Sequence, residues 1–580
     1  MTTRSTLARV LVLAVCMSAI RVQALAQSVT PPGTRVELPP MSAEAANAML
    51  APPGTPPFLA GTQVTRLVTT APMLVARTFV FNASGTAKGS LGSWMLPVAQ
   101  LRGKSRAQYL DFWAMPIVPG SARNDSVAFV LLPAGTHVWS GVAGPIADQN
   151  GVWGNGGGAQ YYVGPDANLP PGAFQTTVAM FFPTSKPLET LQAYGSRVSG
   201  SAAAVGRYLD GLNVAPFSDL DAVLTQLDVL PLIDSADSSL LTRAVGDLGP
   251  GRHAASALVS LRGTAFALDA FARRGVAAPG IGGNDTVGAQ TGAVDVDAGH
   301  ARIWFRGGTS FDRQVDRQDL SGFSSRTFSG LGGADVRIGR AWSLGLGGGV
   351  LGTPLTWDTD GGDANVTGGM LAAYAGYRPG RVFVDGAIAG GRNSIEAHRR
   401  LAIPGVPNLT NDLSRLADSR QRAWTFGTQV DVGVELAAGA FTAQPLLGLS
   451  YARFSQEAFD ESGADSVNLA VDAYQHGDVR VRAGLRIGPA SDRGQTRWRP
   501  EGQLVWTHAI TDSASTISAG LFGQSGRFSL ATPGETRDAL AAGLGLAGRL
   551  GTATVHFRYD GDFSRDRRGH ALSAAVGIAF

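Results

Sequence analysis

The region from about residue 300 to the C-terminus carries the feature that most constrains this chain, an alternation of apolar and polar side chains in segments of about ten residues. In residues 478–488, Val479, Val481, Ala483, Leu485 and Ile487 fall on one face, and Asp478, Arg480, Arg482 and Arg486 on the other. Successive side chains of a strand point to opposite faces, so the pattern predicts strands that are apolar on one side only. Such strands suit either a soluble sandwich or a barrel in a membrane.

The composition and the lack of long apolar runs favour the membrane. Only 16% of the residues are charged and 76 are glycine, whereas soluble domains average about 25% charged residues. A helical membrane protein would show about 18 consecutive apolar residues per span, and no such run follows the N-terminal segment. A closed β-barrel is the other structure that satisfies every backbone polar group in lipid.

The connections between the predicted strands are alternately short and long. The twelve strands are predicted at 300–311, 325–338, 342–356, 366–378, 381–394, 422–436, 441–454, 477–488, 496–510, 538–549, 552–563 and 570–580. Long connections lie at 312–324, 357–365, 395–421, 455–476 and 511–537. Outer-membrane barrels have short periplasmic turns and longer extracellular loops, so the pattern predicts a twelve-stranded transmembrane barrel. We assign Thr516 to Leu530 to a loop, because a thirteenth strand would break this alternation.

The polar face of these strands is predicted to line the lumen. The lumen-facing candidates are Arg337, Arg480, Arg482, Arg486, Arg558, Asp335, Asp431 and Glu435. We favour mutual pairing and hydration in a polar pore as their role, over direct contact with a segment threaded through the barrel.

The last strand ends in an aromatic residue. Counting back from Phe580, Ile578 and Val576 share its face. An apolar alternation that ends in a C-terminal aromatic residue resembles the signal that outer-membrane assembly machinery reads, so these three residues are the candidate assembly signal.

Three segments near the start of the barrel resemble the autotransporter β-domain. They are residues 302–308 (RIWFRGG), 330–335 (GLGGAD) and 342–347 (WSLGLG), and the resemblance continues from residues 537–540 (RDAL) to Phe580. It implies a barrel in the outer membrane that helps to move its own N-terminal passenger to the cell surface, where the passenger stays attached or is released.

The N-terminus is typical of a secretory signal peptide. Arg4 and Arg9 precede an apolar stretch, and residues 24–26 (ALA) form a small-x-small cleavage site, so we expect cleavage between Ala26 and Gln27. The one cysteine, Cys16, lies in the segment that would be removed. The mature protein would then hold neither disulfides nor thiolate chemistry.

Two helices are predicted ahead of the barrel, at residues 218–248 and 253–274, separated by a Gly-Pro-Gly sequence. By resemblance, this helical segment connects passenger and pore. The Gly/Ala-rich residues 275–299 are flexible enough to thread a lumen about 30 Å tall. Asn284-Asp285 is a candidate bond for cleavage after export, although such pairs are usually turn residues.

Residues 27–217 form the predicted passenger. The Pro-rich stretch 27–57 predicts an extended arm. Short β-type runs at 76–81, 127–132, 160–163 and 176–182 predict a small β-rich domain with a few helices. Many autotransporter passengers are repetitive β-helices, but this segment has no fixed period, so no function is borrowed from them.

Few passenger residues could support catalysis. His137 is the single histidine of this segment, which excludes a multi-histidine metal site, and its simplest role is that of a strand residue. Glycines 156–158 before Gln160 and Tyr161 loosely resemble a stretch in secreted toxin domains, a few of which consume a dinucleotide; Arg77 would then meet a phosphate. We favour a glycine turn that enters a strand, and predict no cofactor and no metal.

The sequence thus predicts an all-β protein with a signal peptide (1–26), a passenger (27–217), a helical segment with linker (218–299) and a barrel (300–580). Expected partners are outer-membrane lipid, the general secretion and assembly machinery and host surface molecules. A net charge of +3 gives no reason to expect nucleic-acid binding. A binding or adhesion passenger related to virulence is the first hypothesis, and a secreted enzyme or toxin, including one that binds a dinucleotide, is the alternative.

Overall fold

The computed structural model of the protein describes residues 30–50, 58–79, 94–102, 106–114, 126–145, 154–163, 178–181, 194–233, 239–273, 301–317, 321–339, 341–407, 409–438, 441–489, 498–511, 515–532, 534–550 and 553–579. The predicted signal cleavage site, the linker 275–299 with Asn284-Asp285, and Phe580 lie outside the described residues. The chain divides into two compact units.

The first unit comprises residues 1–199, 206–245 and 402–413 and contains an eight-stranded antiparallel sheet. Its strands are β1 (Thr34–Ser42), β2 (Gln63–Thr69), β3 (Met73–Phe79), β4 (Trp94–Pro97), β5 (Ser126–Leu132), β6 (His137–Val142), β7 (Ala159–Tyr162) and β8 (Val178–Phe181), in the order β1-β2-β6-β7-β4-β3-β5-β8. Val75 and Met95 lie in one core cluster, and their neighbours Ala76 and Leu96 in another. Since neighbouring strand residues point to opposite faces, the sheet is packed on both.

Six helices lie before residue 250 in the described part of the chain: α1 (Ala43–Leu50), α2 (Arg106–Phe112), α3 (Tyr194–Arg197), α4 (Ala202–Asp210), α5 (Asp219–Val229) and α6 (Ser239–Asp247). The division between the two units falls within α4 and α6. Arg102, five residues after the end of β4, forms a buried ion pair with α5, in which its Nε lies 2.8 Å from Asp228 Oδ2. The Tyr194 hydroxyl donates to the same carboxylate over 2.6 Å. These contacts keep the buried charge paired, as a low-dielectric interior requires.

The predicted extended arm is wrong over its described part, because residues 34–50 form β1 and α1. Pro39 and Pro40 are tolerated since β1 is the edge strand of the sheet, and its pairing with β2 shifts register between Leu38 and Met41. Proline lacks the backbone donor and is confined to such edges and bulges. The alanine-rich residues 43–50 then favour a helix.

The second unit comprises residues 200–205, 246–401 and 414–580 and contains the barrel. Its strands are β9 (Ala301–Gln314), β10 (Phe323–Ile338), β11 (Trp342–Trp357), β12 (Gly362–Tyr377), β13 (Val382–Ile403), β14 (Leu413–Val434), β15 (Leu436–Ala438), β16 (Phe441–Gln456), β17 (Phe459–Asp460), β18 (Leu469–Val471), β19 (Tyr474–Pro489), β20 (Trp498–Ala509), β21 (Ser515–Leu521), β22 (Phe528–Thr532), β23 (Asp538–Leu550), β24 (Ala553–Ser564) and β25 (Arg567–Ala579). β25 pairs with β9 and β14 pairs with β16, so the antiparallel ladder closes. β15 is a short piece beside β16, and β17, β18, β21 and β22 form a separate sheet. The predicted twelve-stranded barrel is confirmed.

Several strands extend further than the alternation of apolar residues predicts. Residues 515–532, assigned to a loop, form the hairpin β21–β22 outside the barrel ladder. The connection predicted at 357–365 is only 358–361, and the one predicted at 395–421 is only 404–412. The outward side chains of these extensions are polar and pair across the strands, as in His398 Nδ1–Asp418 Oδ1 at 2.6 Å. The alternation of apolar and polar side chains therefore ends where these strands leave the lipid, and the strands themselves continue.

The outer face of the barrel is apolar. Leu346, Leu371 and Leu447 are 70%, 78% and 69% exposed, which is expected of side chains that lipid covers. Val576 and Ile578 of the candidate assembly signal also lie on this face. Only three residues separate β10 from β11 and four separate β12 from β13, and such short connections mark the periplasmic end. Among the described helices, none is long and apolar enough to cross a membrane.

Replacing Leu371 with arginine places a charge in the apolar band. We expect Leu371→Arg to lower the free energy of unfolding by about 2–4 kcal/mol, because lipid cannot solvate the guanidinium. Asn365→Arg, on the same face of β12 but six residues nearer its extracellular end, is the control, with an expected loss of about 0–1 kcal/mol. Urea titration of the full chain folded into lipid vesicles measures both. Equal losses would mean that Leu371 does not face lipid.

Candidate functional site in the barrel lumen

A seventh helix, α7 (Ala254–Ala272), lies inside the barrel of the second unit. Its apolar side ends at Phe271, whose ring centroid is 5.6 Å from that of Trp304 and 5.8 Å from that of Tyr374. The indole Nε1 of Trp304 donates to the Tyr374 hydroxyl over 2.8 Å. Both aromatic residues are buried on strands of the barrel wall, so this wall holds the C-terminal end of the helix.

Glycines in the inner wall make room for the helix. A Cβ at Gly347 would lie 2.6 Å from Cε1 of Phe271, and one at Gly427 would lie 2.6 Å from Cδ1 of Leu268. At Gly347 a Cβ would also lie 2.7 Å from the carbonyl oxygen of Gly332, so this position needs glycine, whereas at Gly427 a Cβ would force the Leu268 side chain to move.

The other side of α7 is charged and contacts charged residues of the wall and of the connection that precedes β23. Asp269 Oδ1 lies 3.1 Å from Arg482 Nη2 of β19. Two helical turns earlier, Arg262 pairs with Glu535 and donates from Nη2 to Gln314 Oε1 over 2.7 Å. Residues seven apart share a helix face, so α7 is apolar on one side and ionic on the other.

The wall residues around Asp269 form a continuous ion network. Arg482 Nε lies 3.0 Å from Asp431 Oδ1, and Arg486 Nη2 lies 3.1 Å from Asp431 Oδ2. Arg486 Nη1 continues to Asp385 Oδ2 at 3.3 Å. Both aspartates are fully buried, and removing one partner would leave a buried charge uncompensated.

The remaining lumen candidates have further partners of their own. Arg558 Nη1 lies 3.3 Å from Glu501 Oε1, and Arg480 Nε lies 2.5 Å from Asp478 Oδ2. Glu435 Oε2 lies 4.0 Å from Arg378 Nη1. Arg337 is half-buried on the same face of β10 as Asp335, which pairs with Arg302 at 2.6 Å. The structure thus brings Arg482, Arg486 and Asp431 together, and Arg378 and Asp385 link Glu435 to them. Arg480 also lies 3.6 Å from Glu535, the partner of Arg262 in α7. That any of these residues contacts a moving polypeptide stays a prediction.

A second polar cluster lies at the N-terminal end of α7, towards the extracellular side. His253 Nε2 lies 2.9 Å from Glu461 Oε1, and Arg399 Nε lies 2.8 Å from the same oxygen. Gln421 Nε2 donates to His253 Nδ1 over 3.0 Å. Burial raises the pKa of Glu461, but the Arg399 charge and the hydrogen bonds from Arg399 and His253 outweigh it and lower the pKa to about 2. The carboxylate therefore stays ionised beside Arg399.

Sequence reasoning missed Arg262 and Asp269 of α7 and Asp385 of the wall. A signal for the first two exists, since they are charged residues in an otherwise alanine- and leucine-rich helix. Buried charges require partners, so such residues indicate a charged surface opposite the helix.

The glycine turn of the passenger is packed against the first unit's own backbone. The amides of Gly156, Gly157 and Gly158 donate to carbonyls of Asp111, Ala143 and Phe112, each over 2.8 Å. These amides are therefore engaged and do not point at a ligand.

The polar residues proposed beside that turn are Gln160, Tyr161 and Arg77, of which the Arg77 side chain lies outside the described residues. Tyr161 lies in the core, and burial raises the pKa of its hydroxyl. Gln160 is buried. His137 Nδ1 lies 2.8 Å from Glu37 Oε2, which also pairs with Arg66. Among the residues that the structure describes, no group of three or more His, Cys, Asp or Glu could hold a metal ion.

Comparison with known families identifies the barrel region. The family model described as autotransporter beta-domain matches residues 303–560. The translocator domain of autotransporter NalP from Neisseria meningitidis is similar in structure at 16% identity and a TM-score of 0.40, over 49% of this chain and 90% of that one. The β-domain of a Bordetella autotransporter, BrkA, is similar at 15% identity and a TM-score of 0.34, over 48% of this chain and 100% of that one.

Curated relatives match over shorter stretches. An uncharacterized Pseudomonas putida protein of the trpE-trpG intergenic region is 27% identical over 154 residues, which is 27% of this chain and 25% of that protein. The esterase EstA of Pseudomonas aeruginosa is 26% identical over 186 residues, 31% of this chain and 28% of the esterase. The chain thus spans about a quarter of the length of the curated relatives it matches.

Replacing Glu461 with glutamine tests the cluster at the N-terminal end of α7. We expect Glu461→Gln to lower the free energy of unfolding by about 3 kcal/mol, because Arg399 would stay buried without a counter-charge. Glu396→Gln is the matched control: its partner Arg420 lies 3.4 Å away and both side chains are largely exposed, so about 0–1 kcal/mol is expected. Urea unfolding in detergent micelles, followed by tryptophan fluorescence, compares them. A loss no larger than that of the control would contradict the cluster's role.

Proposed function

The chain is an outer-membrane autotransporter with its translocator β-domain at residues 303–560, and from this premise we propose that the barrel exports its own N-terminal passenger and keeps it attached at the cell surface. The proposal includes a passenger that acts as a binding or adhesion module. It assigns residues 27–217 to that passenger and residues 218–299 to the connection.

The direction of α7 in the lumen carries this proposal. The helix begins beside Glu461 of the β16–β19 connection, which is at the extracellular end, and ends beside Trp304, four residues into the first barrel strand. The N-terminal end of α7 therefore opens to the extracellular side of the barrel. A chain that runs outward through its own pore is what export of an N-terminal passenger requires.

The contacts of α7 support retention after export. Arg262 and Asp269 are paired with wall residues two helical turns apart, and the N-terminal His253 is buried against Glu461 and Gln421. Withdrawing the helix would leave several buried charges without partners, at a cost of several kcal/mol each. The anchor is thus ionic as well as apolar.

Packing of the passenger turn supports a binding module over a dinucleotide enzyme. The three glycine amides and Tyr161, which such a site would need, are engaged within the first unit. The esterase activity that one relative's name states belongs to that protein, because only 28% of it is matched. Surface recognition needs no catalytic constellation and is consistent with these contacts.

Single-cysteine variants test the topology, since the chain has one natural cysteine, in the predicted signal peptide. We expect a membrane-impermeant maleimide to label Ala134→Cys in the passenger and Ala458→Cys in the β16–β19 connection on intact cells. Ala438→Cys, in the periplasmic turn region, should react only after the outer membrane is permeabilised. Labelling of Ala458→Cys without Ala134→Cys would contradict export of the passenger.

The same labelled cells distinguish attachment from release, and binding from catalysis. Label on Ala134→Cys should stay with the membrane fraction, and its appearance in the medium would contradict retention. Turnover of a dinucleotide by the full chain that disappears in Gln160→Ala would overturn the binding module in favour of the enzyme.

A further inference from the structure

The outward face of β10 to β14 carries a groove that the export function does not use. It has a volume of about 910 Å³ and is lined by Phe328, Val350, Gly352, Thr367, Arg392 and Arg422, among others. All six residues belong to the second unit. The groove is on the lipid-facing side, because Phe328 and Val350 are 47% and 65% exposed on the apolar outer face.

The floor of the groove is low because glycines alternate with small or apolar residues across the strands. Gly330 is opposite Val350, Val350 opposite Gly369, and Gly369 opposite Arg392. A Cβ added at Gly352 would meet no atom within 4 Å. The depression is therefore open space on the surface and not a buried void.

Two arginines at the edge of this groove have no ion partner among the described residues. Arg392 lies with its guanidinium carbon 5.5 Å from the centroid of the Trp424 ring, and Arg422 is exposed two residues before that tryptophan. Arg420 on the same face pairs with Glu396. Glu457, opposite Arg422 in the strand pairing, is exposed but not within ion-pair distance. The groove thus combines an apolar floor with two free positive charges.

The height of the two arginines places them at the outer boundary of the membrane. Val382 begins β13 and Val434 ends β14 at the periplasmic end, and Arg392 lies ten residues from the first and Arg422 twelve residues from the second. With a rise of about 3.3 Å per residue and a strand tilt of about 40°, these lengths span about 25–30 Å along the membrane normal. The apolar band of such barrels is about 25 Å tall, so Arg392 lies where lipid headgroups begin and Arg422 just beyond that level.

We propose that the groove binds one phosphorylated glycolipid of the outer leaflet, of the lipid A type. An acyl chain would cover Val350 and the glycine floor, while Arg392 and Arg422 bind a phosphate. Arginine suits this role, because its planar guanidinium forms paired charge-assisted hydrogen bonds to phosphate oxygens. Basic pockets on membrane proteins recognise phosphorylated headgroups in the same way. The site would fix a lipid beside the long hairpin β13–β14.

Binding of lipid A to the full chain tests this proposal. The chain, purified in a neutral detergent, is titrated with diphosphoryl lipid A and with its dephosphorylated form, and bound lipid is counted by native mass spectrometry. We expect one diphosphoryl lipid A per chain, and at least about tenfold weaker binding by the double variant Arg392→Gln/Arg422→Gln. The double variant Arg392→Lys/Arg422→Lys keeps both charges but loses the paired hydrogen bonds, so its affinity should lie between those of the natural chain and the double glutamine variant.

Two further variants keep the test decisive if the double glutamine variant folds poorly. Gly352→Leu fills the groove without touching either charge and should also weaken binding. Arg527→Gln removes a charge that faces Asp472 in the separate sheet and should leave binding unchanged. Equal affinity of the natural chain for phosphorylated and dephosphorylated lipid would overturn the proposal. So would displacement of the lipid by millimolar inorganic phosphate, which would indicate a site for free phosphate instead.

Discussion

Closure of the strand ladder is the constraint on which the rest of this protein depends. In hydrocarbon an unpaired backbone amide or carbonyl costs several kcal/mol, so β25 must pair with β9 and β14 with β16. A closed ladder sends alternate side chains to lipid and to the lumen. Leucine and valine cover the outside as a result, and Arg482, Asp431 and Arg486 are left to satisfy one another inside.

The lumen produced by this closure is filled by the chain's own helix. The wall has glycine at positions 347 and 427, where α7 passes. Glu535 supplies the counter-charge to Arg262, and Arg482 supplies the counter-charge to Asp269. The N-terminal end of the helix faces the extracellular connections, where Glu461 binds both His253 and Arg399. Under the proposed function, export and anchoring would be two consequences of one arrangement, because the same helix would mark the path of the passenger and close it.

The barrel could be predicted from sequence because strands in lipid alternate apolar and polar side chains with a period of two, as in residues 478–488. The parts of β13 and β14 that extend beyond the lipid could not be predicted in this way. There Glu396 and Arg420 pair across the strands, and such polar pairs resemble a loop in sequence. The roles of Asp269 and Arg262 were missed because their partners Arg482 and Glu535 are more than 200 residues away in sequence, and the local pair of Asp269 with Arg273 does not reveal them. Pro39 and Pro40 predicted an extended arm outside any sheet, but they lie in an edge strand, where one side of the backbone needs no hydrogen-bond donor.

Ion conductance in planar bilayers is the most direct measurement of the central claim, that a closed barrel in lipid is filled by α7. The full chain should conduct poorly, and deletion of residues 254–272 should raise its single-channel conductance several-fold because the lumen then fills with water. Deletion of residues 27–199, which keeps the helix, should leave the conductance low. Equal conductance with and without residues 254–272 would contradict the account.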